Sequence, residues 1–127
     1  MGENPHAERR SFHRIPLDRV ASALDDQGHT HLCTLVDISL KGALLAPQDD
    51  WQCSKGDHIG VSIKLDDRGD STIRMAGEIA HVEAGHIGLL SHRMDLDSAT
   101  LLRRVVELNL ADPDLLEREL HAMIDNV

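Results

Sequence analysis

Apolar and polar positions alternate through the middle of the chain, and helical spacing replaces the alternation near its end. Val20, Ser22 and Leu24 alternate against Arg19, Ala21 and Ala23. Asp25-Asp26-Gln27-Gly28 then supplies turn residues, and the strand pattern resumes over His31 to Val36, which predicts a hairpin. Gly42-Ala43-Leu44-Leu45 is a short apolar run stopped by Pro47, and Gln48 to Gly56 reads as a loop carrying Trp51 and Cys53. Alternation returns over Gly60 to Leu65. After a turn at Asp66 to Asp70 it continues from Thr72 to Val82 through Ile73, Met75 and Ile79. Ala84-Gly85 turns the chain once more, and Ile87 to Met94 forms the last predicted strand.

The spacing of Leu101, Leu102, Val105 and Leu108 predicts an amphipathic helix with Asp97 or Ser98 as its N-cap. Asp112-Pro113 repeats the start signal, because proline is tolerated at the first helical position. Leu115, Leu116, Leu120, Met123 and Ile124 make a second apolar face. Five to seven short strands followed by helices predict a closed or nearly closed antiparallel barrel, with a helix against an opening or a face. Residues 1–9 are polar and without periodicity. The expected organisation is a flexible arm over 1–14 and one domain over 15–127.

With Phe12 and Trp51 the only aromatic residues of these types, aliphatic side chains must fill the core. The formal charge of −9 disfavours a polyanionic partner such as nucleic acid. Residues 1–14 depart from this, since Arg9, Arg10 and Arg14 outnumber Glu3 and Glu8 there. Cys33 and Cys53 are not closely paired, which fits a reducing compartment, and no run is apolar enough to span a membrane. A soluble, cytoplasmic monomer is expected. His29 and His31 share a strand face but lack further ligands at metal-site spacing, so no metal is expected. No nucleophile elbow, phosphate loop or metalloprotease motif is present, and catalysis is not expected.

Two stretches carry candidate chemistry. Arg9-Arg10-Ser11-Phe12-His13-Arg14 places three guanidiniums just before the first strand. Each is a planar fork of donors able to grip phosphate oxygens or the O6/N7 edge of guanine, and able to stack on a base. Asp37-Ile38-Ser39-Leu40-Lys41-Gly42 lies where a strand should end. A carboxylate there can accept from the N1 and N2 donors of guanine, a serine hydroxyl can contact phosphate or backbone, and glycine lets main chain approach closely. Either stretch alone also fits a solvated terminus or an ordinary turn.

In this order, Arg10-Ser11-Phe12-His13-Arg14 and Asp37-Ile38-Ser39-Leu40-Lys41-Gly42 resemble the paired motifs of the PilZ family, Arg-x-x-x-Arg and Asp/Asn-x-Ser-x-x-Gly. The closing Gly88-Leu89-Leu90 segment fits as well, so the resemblance covers most of residues 9–110. It implies a six-stranded antiparallel β-barrel whose N-terminal arm folds over cyclic di-GMP. Arg10 and Arg14 would meet guanine and phosphate, and Asp37, Ser39 and Gly42 the other guanine face. Arg9, a basic residue before the first motif, implies two intercalated nucleotides per chain. His81, at a strand end, is either a half-exposed structural residue or a base-stacking one. The length and C-terminal stretch resemble stand-alone adaptors of the family, which implies a protein effector and, by analogy, a chemoreceptor methyltransferase. The competing reading is a nucleotide-independent interaction module acting through its acidic C-terminal helices.

Overall fold

The computed structural model describes residues 14–66 and 71–111. Six strands form: β1 (Ile15–Asp25), β2 (Thr30–Ser39), β3 (Gly42–Pro47), β4 (His58–Lys64), β5 (Thr72–Glu83) and β6 (His86–Met94). Among the described residues one helix, α1 (Leu96–Ala111), follows them. All neighbouring strands are antiparallel, and they close in the order β1-β2-β3-β6-β5-β4, with β4 returning to β1 through pairs such as Ala21↔Ile63. Closure leaves no edge strand to template unwanted pairing. The second apolar face predicted at Leu115 to Ile124 lies outside the described residues, as does the arm carrying Arg9 and Arg10.

The hairpins follow local chemistry. Asp25 Oδ1 accepts from the N–H groups of Gln27 and His29, which shapes the β1–β2 turn. Ala84 and Gly85 both have positive φ, at 52° and 80°, as a two-residue turn matched to the strand twist of β5 and β6 requires.

The interior is aliphatic, with Leu35, Ile38, Leu45, Ile63, Ile73 and Ile79 fully buried and no buried aromatic side chain among the described residues. On β1 the alternation resolves against the bulk of the residues. Ala21 and Ala23 point inward, while Val20 and Leu24 are about half exposed, at 51% and 50%. Ala21 and Ala23 stand opposite Ile63 and Val61 on β4 and opposite Cys33 and His31 on β2, so small residues suffice where large neighbours fill the lumen. Burial holds the Cys33 thiol protonated, its pKa pushed up to about 11, and this cysteine is a core residue.

α1 adds Leu102, Val105 and Val106 to the same core. Its N-cap is Asp95, two or three residues earlier than the Asp97 or Ser98 suggested by the sequence, because the Asp95 carboxylate accepts from the Ser98 N–H at 2.8 Å. Ser98 is buried, and its hydroxyl accepts the Arg74 N–H at 2.8 Å, which fastens the helix start to β5.

Candidate functional site

The site is built by two interruptions of strand alternation. On β2, Cys33 and Leu35 point inward, and strict alternation would send Asp37 into the core. The register instead slips between Leu35↔Leu45 and Asp37↔Leu44, leaving Val36 as an extra residue. That bulge reverses the phase: Ile38 becomes the buried residue and Asp37 turns outward. On β5 the same device recurs. Ile79 pairs with Leu89 and His81 with Gly88, so Ala80 is the extra residue and His81 is exposed where alternation would bury it.

The β1–β2 ladder pairs Ile15 with Ile38 and Pro16 with Asp37, which brings Arg14 beside the turned-out carboxylate. Arg14 donates to Asp37 Oδ1 from Nη2 at 2.9 Å and from Nε at 3.1 Å. The guanidinium is more than half exposed and the carboxylate about one-fifth exposed. Such a pair orders the strand entry more than it stabilises the fold, since surface ion pairs contribute about 0–1 kcal/mol.

Arg14, Ser39, Gly42, His81 and Gly88 line one depression of about 200 Å³, and Asp37 is joined to it through Arg14. Ser39 is buried, and its Oγ accepts the Lys41 N–H at 3.1 Å, so its hydroxyl shapes the β2–β3 turn. Gly42 serves the close approach of two strands, because a Cβ there would overlap the Leu89 carbonyl oxygen of β6. The ring of His81 lies over Gly88, where a Cβ would collide with the imidazole. The sequence motifs therefore divide between residues that face the depression and residues that form its walls. Arg9 and Arg10 lie outside the described residues.

A second polar cluster sits at the other end of β2, and sequence patterning did not single it out. His31 Nε2 contacts Asp25 Oδ2 at 2.9 Å, its Nδ1 contacts Asp49 Oδ2 at 3.4 Å, and its ring stacks on Trp51 at 4.1 Å between centroids. Burial pulls the His31 pKa down, but hydrogen bonds to Asp25 and then Asp49 outweigh it and raise the value. The His31 hydrogen bond and the turn N–H groups lower Asp25 to about 2. His29 and His31 thus serve carboxylates, and no group able to hold a metal ion occurs among the described residues.

Larger depressions of about 470 and 590 Å³ lie on the opposite wall, over β1, β4, β5 and the end of β6. They contain none of the motif residues. No helix among the described residues is long and apolar enough to cross a membrane.

Solved structures share this architecture. The PilZ domain of CeSA from a cellulose-synthesizing bacterium superposes with a TM-score of 0.59 at 18% identity, covering 74% of this chain and 94% of its own. The Bacillus subtilis inhibitor of motility MotI/DgrA gives a TM-score of 0.62 at 15% identity, covering 82% of this chain and 53% of its own. At these identities the likeness is one of fold. The model of the PilZ domain matches residues 8–108, which takes in both motifs and every strand, and the chain belongs to the PilZ domain family.

Proposed function

We propose that this chain is a receptor for cyclic di-GMP that conveys nucleotide binding to a protein partner. The observation that carries the reading is the pair of bulges at Val36 and Ala80, which turn Asp37 and His81 outward beside Arg14 around a single depression. An outward carboxylate suits the N1 and N2 donors of guanine, an arginine fork suits its O6/N7 edge or a phosphate, and an imidazole lying flat suits base stacking.

At about 200 Å³ the depression is below the roughly 300–1,000 Å³ common for drug-sized ligands. The wall alone accommodates a base more readily than a whole cyclic dinucleotide. The remaining contacts fall to the arm, with Arg9 and Arg10 closing over the ligand, and two intercalated nucleotides per chain make up the bulk. The Arg14–Asp37 pair holds these two groups together before ligand arrives, and the nucleotide takes over one or both of them. An arm ordered in this way presents a new surface to an effector protein, for which a chemoreceptor methyltransferase is one option. Only an effector that distinguishes the two states of the arm is regulated by the nucleotide.

Isothermal titration with cyclic di-GMP, with cyclic di-AMP and GTP as controls, tests the reading. Micromolar or tighter binding of cyclic di-GMP alone supports it, and the stoichiometry distinguishes one nucleotide from an intercalated pair. Failure to bind leaves a barrel that acts as a nucleotide-independent interaction module.

A further inference from the structure

The wall away from the motifs carries a trough that the nucleotide reading does not use. Two rows of outward-facing residues cross it, and each runs from a leucine to an arginine. One passes from Leu32 on β2 through Ser22 and Ser62 to Arg74 on β5. The other passes from Leu24 on β1 through Gly60 and Ala76 to Arg93 on β6. Because the middle of each row is small, a depression of about 470 Å³ lies over β4 between a leucine bank and an arginine bank. Leu24 and Leu32 are about half exposed, and Leu96, beside the lining residue Asp95, is exposed at 79%.

The charge on the arginine bank is positive in a protein whose formal charge is −9. Asp95 stands there too, but its carboxylate caps α1 through the Ser98 N–H, and two arginines outnumber it. The trough opens into the neighbouring depression of about 590 Å³, with which it shares Leu24, Gly60, Ala76 and Arg93. Asp25 and Asp26 line that end and confine the positive bank to the Arg74–Arg93 stretch.

Backbone pairing excludes one kind of occupant. The barrel is closed and β4 is paired on both sides, with β1 and β5, so no strand edge here is open to an added peptide strand. The trough accepts a ridge of side chains instead. Its floor of glycine, alanine and serine lets a helix approach closely, the leucine bank covers aliphatic residues spaced i, i+4 and i+7, and the arginines pair with carboxylates on the adjoining edge. Together the two depressions follow β4 from His58 to Ser62, about 16 Å at roughly 3.3 Å per residue, which about three helical turns span.

We propose that this trough is a docking site for an amphipathic helix of a partner protein, with aliphatic residues on its buried ridge and carboxylates on the edge facing Arg74 and Arg93. The trough lies across the barrel from the depression that holds Arg14 and His81, so the helix has an attachment point separate from the nucleotide site.

Fluorescence anisotropy with two labelled model helices tests the docking on the full-length chain. Both peptides carry leucines at i, i+4 and i+7 over about three turns, one with glutamates and the other with lysines along the flanking edge. The expected result is saturable, micromolar binding of the glutamate peptide and at least about tenfold weaker binding of the lysine peptide. A Cβ at Gly60 meets no atom within 4 Å, so Gly60→Gln fills the trough without disturbing the barrel. This variant should bind the glutamate peptide at least about tenfold more weakly. Arg93→Glu should do the same while holding the lysine peptide at least as tightly as the wild type does, and both variants should melt close to the wild-type temperature. A wild type that binds neither peptide, as follows if other residues of this chain or a second copy fill the trough, overturns the proposal. So does a lysine peptide that binds as tightly as the glutamate one, or an affinity that Gly60→Gln leaves unchanged. The titrations contain no cyclic di-GMP, so their failure leaves the nucleotide reading untouched.

Discussion

The imidazole of His81 lies across the bare Cα of Gly88 on the neighbouring strand, where any Cβ would run into the ring. Gly88→Ala should therefore displace His81 while leaving the barrel closed, because the atoms in the way belong to a side chain that can swing outward. The expected outcome is a thermal midpoint close to wild type and cyclic di-GMP binding several-fold weaker. Combining Gly88→Ala with His81→Ala should cost no more than His81→Ala alone, which titration of the three variants reads directly.

Gly42 predicts the opposite division. A Cβ at this position meets the backbone carbonyl of Leu89, and backbone cannot step aside without moving β6. Gly42→Ala should destabilise the fold by about 1–3 kcal/mol or more, as overpacking does, measured by urea denaturation. Any loss of ligand affinity in this variant should track the unfolded fraction.

Arg14→Ala should separate binding from stability. The Arg14 guanidinium is more than half exposed and Asp37 keeps partial access to solvent, so loss of the pair should change unfolding free energy by about 1 kcal/mol or less. Nucleotide affinity should fall tenfold or more, equivalent to about 1.4 kcal/mol, in a parallel titration. Wild-type affinity in Arg14→Ala and in Arg10→Ala would remove the arginines from the site.

The His31 cluster gives the barrel a pH signature. Its pKa in the folded chain lies above the ordinary 6.5, so its stabilisation is complete below that value and is lost as pH rises through the folded pKa. Asp25 acts in the other direction, contributing above its ordinary 3.8 and losing its contribution as pH falls toward about 2. Urea midpoints followed from pH 5 to 9 should decline on the alkaline side in the wild type, and that decline should flatten in His31→Asn.

Ser98 is a fifth test point. Replacing it with alanine leaves the Arg74 N–H without its acceptor and takes the hydroxyl from Asp95. An unmet buried donor costs about 1–3 kcal/mol. Thermal melts should show that loss, with exchange protection falling first in α1.

The strands were legible because Ile, Leu and Val recur with period two between Gly, Pro and Asp clusters, and the paired motifs pointed to Arg14, Asp37, Ser39 and Gly42, with His81 marked only by its place at a strand end. Phase was harder to read. Nothing in the local pattern around Val36 or Ala80 marks an extra residue, since bulges arise from how two strands register against each other. On β1 the alternation alone left open which face is inside, and the small residues Ala21 and Ala23 face the lumen because it is filled there from β4. The contacts of His31 with Asp49 and Trp51 depend on a loop folding back over the barrel, which no spacing rule encodes.

The bulges also make the site a matter of counting. What turns Asp37 and His81 outward is the presence of one surplus residue before each, and the side chains of Val36 and Ala80 have little part in it. Substitutions at these two positions should be tolerated widely. Deleting Val36 would rotate the rest of β2 by half a pleat, turning Asp37 inward and Ile38 outward, and deleting Ala80 would turn His81 toward the interior. The length of these strands is thus as strictly constrained as the identity of the residues they present.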